Sequence, residues 1–153
     1  MKKNFLFLFI VVMVIFACQQ TPKVVPVDIK AEEAALKKVL DSIDFKSNLT
    51  EDALICGTDP SEFWNKQQFL EQLEQTKNAA PEFKSIGDRN IKVAPDGNSA
   101  IVVTQFIISW SPKIPWRQVY HFVKTNDKWM IQFINIAFIP KNEDIQKLNE
   151  AID

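Results

Sequence analysis

The fold is decided by residues 116–138, which read WRQVYHFVKTNDKWMIQFINIAF. Aromatic and β-branched residues dominate this stretch, as is typical of strands that pack one face against a core. Asn126-Asp127 interrupts it with two residues that favour a tight turn. We therefore predict two antiparallel strands, 116–125 and 129–138, joined by that turn.

The turn also predicts which side chains share a face, because side chains alternate along a strand. A loop of two or four residues places Lys124 opposite Trp129 and determines the pairs that precede them. Those pairs are Phe122–Ile131, Tyr120–Phe133 and Gln118–Asn135. We assign this face, together with Trp116, to the concave side of the sheet, beneath helices. The other face then holds Arg117, Val119, His121, Met130, Gln132, Ile134 and Ile136. A three-residue loop would exchange the two faces.

Further strands are predicted upstream of this hairpin. Residues 83–93 alternate loosely and end at the turn sequence Pro95-Asp96-Gly97-Asn98, and residues 100–110 have the composition of a buried strand. Residues 111–114 are predicted to form a loop. Pro140 ends the last strand. A short helix within residues 139–153 follows, with an apolar side made of Ile145, Leu148 and Ile152.

The first half of the chain has helical periodicity instead. Asp28 can cap a helix over about residues 29–46. The apolar stripe of that helix contains Leu36, Val39, Leu40 and Ile43. A helical turn is predicted at residues 49–52, followed by a short buried strand at 53–56.

A second helix is predicted to run from Asp59 to about Lys77. Asp59 is its cap, Pro60 takes its first position and Glu62 reaches back as in a capping box. Its inward side chains are Phe63, Trp64, Phe69, Leu70 and Leu73. Helices followed by hairpin-linked strands indicate one α+β domain, which we place at residues 28–153.

Composition excludes several classes of protein. Lys and Arg number 18 against 19 Asp and Glu, and this balance argues against a nucleic-acid binder, which needs a basic surplus. A single His excludes a multi-histidine metal site, and 3 Gly leave no glycine-rich phosphate loop. We predict no metal site and no cofactor.

Residues 1–17 are predicted to be a signal peptide. Lys2 and Lys3 precede thirteen consecutive apolar residues, 5–17, fewer than the roughly 20 that span a bilayer as a helix. The ending Ile15-Phe16-Ala17-Cys18 resembles the cleavage site of bacterial lipoprotein signals, which implies that Cys18 is the lipid acceptor. The alternative is a helix that is not cleaved and is buried or anchors the chain.

Residues 18–27 are predicted to tether the domain to the membrane. They contain Pro22 and Pro26 and have no apolar periodicity, so we expect a semi-extended segment. Two or more acyl chains on Cys18 would hold the protein durably on a membrane. Gln19 and Gln20 follow without an acidic cluster, which by resemblance to lipoprotein sorting implies an exported protein on the outer membrane, facing the periplasm.

Two segments resemble SnoaL-like domains of the nuclear transport factor 2-like superfamily. Leu54-Ile55-Cys56-Gly57-Thr58-Asp59-Pro60-Ser61-Glu62-Phe63-Trp64 resembles their strand, turn and helix, and Asp127-Lys128-Trp129-Met130-Ile131 resembles the turn and tryptophan that open their last strand. The resemblance covers residues 29–138 and implies a cone-shaped, curved antiparallel sheet packed on N-terminal helices. The family contains ligand binders, cyclases and isomerases. Where its last strand often carries a histidine, this chain has Asn135.

The predicted concave face is aromatic, with a few polar groups, as in many small-molecule sites. Our candidate ligand pocket consists of Trp64, Trp116, Gln118, Tyr120, Phe133 and Asn135. For the aromatic side chains the alternative is a place in the core. Buried amides and phenols need hydrogen-bond partners, of which a ligand is one kind.

Catalysis is the weaker hypothesis, because enzymes of the resembled superfamily typically use a carboxylate in an apolar pocket. Within residues 100–138 the only acidic residue is Asp127, in the turn. Asp59 and Glu62 are explained as helix caps, and nothing places Cys56 beside His121. We assign no catalytic residue and rank ligand binding first, protein interaction second and isomerase or cyclase activity third.

The second face of the hairpin is apolar enough to need cover. Sheets of the resembled family commonly pair back to back, which implies a homodimer with Arg117 and His121 near the interface. The alternative is a monomer whose C-terminal helix partly covers this face.

Overall fold

The computed structural model describes residues 26–79 and 81–152. The predicted signal peptide (1–17), Cys18 and all of the tether except Pro26 and Val27 lie outside the described residues. No helix within the described ranges is long and apolar enough to cross a membrane.

The described residues form an α+β domain, as predicted. Its helices are α1 (Ile29–Asp41), α2 (Phe45–Asn48), α3 (Lys66–Thr76) and α4 (Ile145–Glu150). Its strands are β1 (Leu49–Cys56), β2 (Phe63–Asn65), β3 (Phe83–Ser85), β4 (Asn90–Val93), β5 (Ser99–Ile108), β6 (Ser111–Thr125) and β7 (Lys128–Phe138).

All seven strands belong to one sheet. Its order is β2-β1-β7-β6-β5-β3, and β4 pairs with β5 beside β3. The sheet is mixed rather than purely antiparallel, because β1 runs parallel to β7. This pairing joins the first of the described strands to the last, so it depends on contacts that no local sequence pattern encodes.

The first helix begins where predicted but ends earlier. The Asp28 carboxylate accepts a hydrogen bond from the Ala31 amide at 3.1 Å, as an N-cap does. Helix α1 ends at Asp41, and Asp44 caps the separate short helix α2. The helical turn predicted at 49–52 is wrong. Those residues begin β1, because Leu49 pairs with Ile131 of β7 and is completely buried.

The second helix begins at Lys66, so the predicted start at Asp59 is wrong. Glu62 does reach back along the chain, since its carboxylate accepts hydrogen bonds from the backbone amides of Thr58 at 2.8 Å and Asp59 at 2.9 Å. It closes the turn between β1 and β2 instead of a helix. Phe63–Asn65 then pairs with the edge of β1. Asn65 and Gln68 form the true capping box of α3, with both hydrogen bonds at 3.0 Å.

The predicted hairpin of β6 and β7 is confirmed. Asn126 and Asp127 both have positive φ, 49° and 59°, which is the backbone of a two-residue type I′ turn. The preceding hairpin turns at Ser109 and Trp110, and Ser111 already pairs with Ile108. The loop predicted at 111–114 is therefore part of β6.

A β-bulge at Gln132 overturns half of the predicted pairing. Lys124 lies opposite Trp129 and Phe122 opposite Ile131, as predicted. The pairs Tyr120–Phe133 and Gln118–Asn135 are wrong, because Gln132 is an extra residue in β7. The observed pairs beyond the bulge are His121–Phe133, Tyr120–Ile134, Val119–Asn135 and Gln118–Ile136.

The bulge reverses the faces of the rest of β7. Ile134 is completely buried in the core, and Ile136 packs against it. Phe133 and Asn135 lie on the convex face, although both were predicted to lie on the concave face. The Gln132 side-chain amide donates to the Asp52 carboxylate at 3.1 Å. That contact reaches the irregular part of β1, between Leu49 and Leu54, so the two irregular segments lie side by side.

The core lies between the concave face of the sheet and helices α1 and α3. Its completely buried side chains include Leu36 of α1 and Phe122 of β6, and Phe69 contributes from α3. Glu32 attaches the start of α1 to the β6–β7 hairpin. Its carboxylate pairs with Lys124 and accepts a hydrogen bond from the Trp129 indole at 3.1 Å.

Candidate functional site

A small pocket of about 180 Å³ opens on the concave side of the sheet. It lies between the end of α1, the edge strand β3 and the middle of β5 and β6. Its apolar walls are Leu40, Ile43, Phe83 and Phe106, and its polar side chains include Ser85, Arg89, Thr104, Gln118 and Tyr120.

Tyr120 is the buried polar group of this pocket. Its side chain is 6% exposed, and no hydrogen bond to its hydroxyl exists among the described residues. The hydroxyl is not one of the fully enclosed unpartnered atoms, which in the same residues are Thr50 Oγ1 and Trp116 Nε1. The hydroxyl is therefore not fully enclosed, and Tyr120 is one of the residues that line the pocket. Burial raises the pKa of Tyr120 to about 12, and the nearby positive charge of Arg89 opposes that rise. At neutral pH the phenol is protonated and can donate.

Arg89 supplies positive charge at the rim. One terminal nitrogen, Nη1, pairs with the Asp41 carboxylate at the end of α1. A guanidinium has five N–H donors, so this pair leaves others free for a ligand. The pair is partly open to solvent, with side-chain exposures of 37% for Arg89 and 57% for Asp41. Such a pair contributes little to stability and can be exchanged for another carboxylate.

Two more polar side chains extend along the sheet from Tyr120. Thr104 and Gln118 are cross-strand partners on β5 and β6. Thr104 makes only a long hydrogen bond, 3.5 Å, to the Gln118 carbonyl. Each polar side chain that lines the pocket in the described ranges can donate a hydrogen bond, and none of them is Asp or Glu. Such a lining suits a ligand that carries an accepting oxygen.

The structure brings together part of the predicted site. Gln118 and Tyr120 line the pocket, and Trp116 lies next along the same face, packed against Phe106 with ring centroids 6.3 Å apart. Trp64 instead packs on Phe69 beneath α3. Phe133 and Asn135 are on the opposite face because of the bulge.

Several lining residues were missed from sequence. Thr104 could have been found, because a hairpin of β5 and β6 with the right turn places it beside Gln118. Ile43 was expected on the apolar stripe of the first helix and residue 89 within the strand region 83–93, but both lie outside strands and helices. They meet at the pocket beside the end of α1, where Arg89 pairs with Asp41.

A larger cleft of about 980 Å³ lies on the surface between α2 and α3. Its charged groups are largely paired with one another. Lys66 pairs with Glu51 at 2.7 Å and donates to the Leu49 carbonyl at 3.0 Å, and Lys77 pairs with Glu74. We therefore take the smaller pocket, with its unpartnered phenol, as the candidate site.

The convex face of the sheet is apolar and partly exposed. Arg117, Val119, His121 and Met130 lie on it, as predicted, together with Phe133 and Asn135 in place of Ile134 and Ile136. The most exposed apolar side chains of this face are Ile101 (42%), Leu54 (44%) and Phe63 (62%). Helix α4 keeps its own Ile145 half exposed.

Comparison with known proteins identifies the family. The model of the SnoaL-like domain matches residues 33–139, so the chain belongs to that family. No curated protein matches the sequence.

Solved structures share the nuclear transport factor 2-like fold. One such protein of unknown function, from Silicibacter pomeroyi, is 12% identical, with 74% of this chain and 100% of that chain covered and a TM-score of 0.56. Another, from Shewanella baltica, is 14% identical, with coverages of 75% and 99% and a TM-score of 0.53. A candidate ketosteroid isomerase from Parabacteroides distasonis is 19% identical, with coverages of 79% and 92% and a TM-score of 0.52. At these identities the likeness shows the fold alone.

Proposed function

We propose that this SnoaL-like domain binds a small amphipathic molecule in the pocket above Tyr120. The observation that carries the proposal is Tyr120, a buried residue of the pocket lining whose hydroxyl has no hydrogen-bond partner among the described residues. Because this hydroxyl is not fully enclosed, water can bind it in the empty pocket, and a ligand with an accepting oxygen would replace that water. Leu40, Phe83 and Phe106 would contact the apolar body of that ligand.

The size of the pocket indicates the size of the ligand. Drug-sized sites have volumes of about 300–1,000 Å³. The pocket, at about 180 Å³, is smaller and suits one ring or a short chain. A longer molecule would place one end in the pocket and leave the rest outside.

A substitution at the mouth of the pocket tests this proposal. Ser85→Phe adds a ring at an exposed lining position on edge strand β3 and removes no core side chain. We expect the full chain in detergent to bind benzamide, a neutral one-ring probe, with saturable NMR shifts of the Thr104, Gln118 and Tyr120 amides. Ser85→Phe should weaken this binding by about tenfold or more, the equivalent of roughly 1.4 kcal/mol.

Ser109→Phe is the matched control, because Ser109 is an exposed residue of the β5–β6 turn outside the pocket lining. It should bind benzamide like the unchanged protein. Shifts that do not saturate, or that persist unchanged in Ser85→Phe, would contradict binding in this pocket.

We also propose that two copies associate through the convex face. The support is the exposed apolar side chains of that face, which association would remove from water. Val119 lies at its centre, between Val103 of β5 and Asn135 of β7.

Val119→Asp would bury an unpaired charge in such an interface and should convert a dimer to a monomer. Sedimentation of the full chain in detergent measures this directly. Ala34→Asp, the same charge change on the exposed side of α1, should leave the dimer intact. A monomeric unchanged protein would refute the proposed association.

Membrane attachment through Cys18 is proposed from the sequence. The support is the basic, apolar and Ala-Cys order of residues 2–18. We propose the outer membrane, facing the periplasm, as the location. A mass spectrum of the N-terminal peptide from the membrane fraction tests the anchor: an acylated Cys18 supports it, and an unmodified one contradicts it.

A further inference from the structure

We propose that the natural ligand is a small amphipathic acid, whose carboxylate lies between the Tyr120 hydroxyl and the Arg89 guanidinium. This inference rests on the proposed binding function and names the chemical class of ligand that the pocket selects. The alternative class is a neutral molecule that carries only a carbonyl or hydroxyl oxygen.

The charge of the lining favours the acid. Arg89 is the only charged side chain among the described residues that line the pocket, and Tyr120, Thr104 and Gln118 add neutral donors. A carboxylate accepts several hydrogen bonds and carries the charge that complements one guanidinium. A phosphate would bring nearly twice that charge to a pocket with a single cation, so we favour the carboxylate.

Arg89 is placed so that it can exchange partners. It lines this pocket and an adjoining cavity of about 400 Å³, whose lining also contains Lys37 and Asp88. Its pair with Asp41 lies toward solvent, where ion pairs contribute little. A ligand carboxylate inside the pocket would be less screened and would also receive the Tyr120 hydrogen bond.

The apolar walls explain why the ligand should be amphipathic rather than a bare anion. Phe83 and Phe106 pack edge to face with centroids 5.4 Å apart and form one wall, with Leu40 and Ile43 opposite. An apolar body seated there would hold the carboxylate near the donors. The three parts of the site are thus a cation, a neutral donor and an apolar wall.

Two isosteric probes distinguish the inference that the ligand is a carboxylate from the proposal that the pocket binds a ligand at all. Benzoate and benzamide have the same ring and nearly the same shape, but only benzoate carries a charge. We expect the full chain to bind benzoate about tenfold more tightly than benzamide, because charge-assisted hydrogen bonds are the stronger ones. Hexanoate, compared with benzoate, decides between straight-chain and aromatic acids.

Variants at the Arg89–Asp41 ion pair test whether Arg89 causes the preference for benzoate over benzamide. Asp41→Asn frees the guanidinium and should tighten benzoate binding by about threefold with no change for benzamide. Asp41→Asn combined with Arg89→Gln removes both charges and should abolish the preference for benzoate. Lys37→Gln, which removes a neighbouring positive charge outside the pocket lining, should leave the preference intact.

The outcomes distinguish the two proposals. Equal binding of benzoate and benzamide by the unchanged protein would overturn the carboxylate inference and leave pocket binding standing. A preference that survives the double variant would overturn it as well, because Arg89 would not be its source. Failure of all three probes to bind would overturn both proposals. Thermal unfolding of each variant verifies that the fold is retained.

Discussion

Ile134→Ala is expected to lower the free energy of unfolding by about 2–5 kcal/mol, because Ile134 is completely buried in the core and the truncation leaves a cavity. The bulge at Gln132 places this side chain on the concave face, since an uninterrupted alternation from Ile131 would place Phe133 there instead. A loss of this size removes much of the stability of an ordinary domain.

Urea unfolding followed by tryptophan fluorescence measures this effect. Phe133→Ala is the matched control, because Phe133 lies on the convex face and is only partly buried. It should cost less than Ile134→Ala, although it removes the larger side chain. If Phe133→Ala were the more destabilising of the two, Phe133 and not Ile134 would face the core.

Alkaline pH is expected to lower the free energy of unfolding through the ionisation of Tyr120. Tyr120 has an ordinary pKa of 10.0, and in the folded protein its pKa is raised to about 12. Below pH 10 both states keep the proton, and stability is unaffected. Between pH 10 and 12 the unfolded chain loses the proton while the folded chain keeps it. The free energy of unfolding therefore falls by about 3 kcal/mol across this window.

This prediction has a direct optical readout, because Tyr120 is the single tyrosine of the chain. Its ionisation can be followed by absorbance at 295 nm, and stability by urea unfolding at pH 9 and pH 11. Tyr120→Phe should remove this contribution, so the difference between the two proteins isolates it from lysine titration. A tyrosine that ionises near pH 10 in the intact fold would contradict the burial of this side chain.

The hairpin of β6 and β7 could be predicted because its information is local. Asn126 and Asp127 are residue types that tolerate positive φ, and the turn they make determines the first pairs, Lys124–Trp129 and Phe122–Ile131. The N-cap at Asp28 is local in the same way. A cap depends only on the three or four residues after it in the chain.

The second helix shows where local information misleads. Asp59, Pro60 and Glu62 form the pattern of a helix start, and Glu62 does accept the amide hydrogen bonds that the pattern implies. The chain nevertheless continues as β2, because the edge of β1 offers backbone partners to Phe63–Asn65. A cap pattern closes a turn, and tertiary contacts decide whether a helix or a strand comes next.

The sequence by itself determined the Asn126-Asp127 turn, most of the strands, the apolar stripe of α1 and the presence of Gln118 and Tyr120 on the inner face of β6. Turn chemistry and side-chain alternation act over a few neighbouring residues, so they can be inferred from one chain. Only the tertiary structure decided that β1 pairs with β7, that Ile134 and not Phe133 faces the core, and that Arg89 meets Tyr120. Each of these depends on which distant segment occupies the space beside a residue, and a single extra residue such as Gln132 exchanges the faces of everything beyond it.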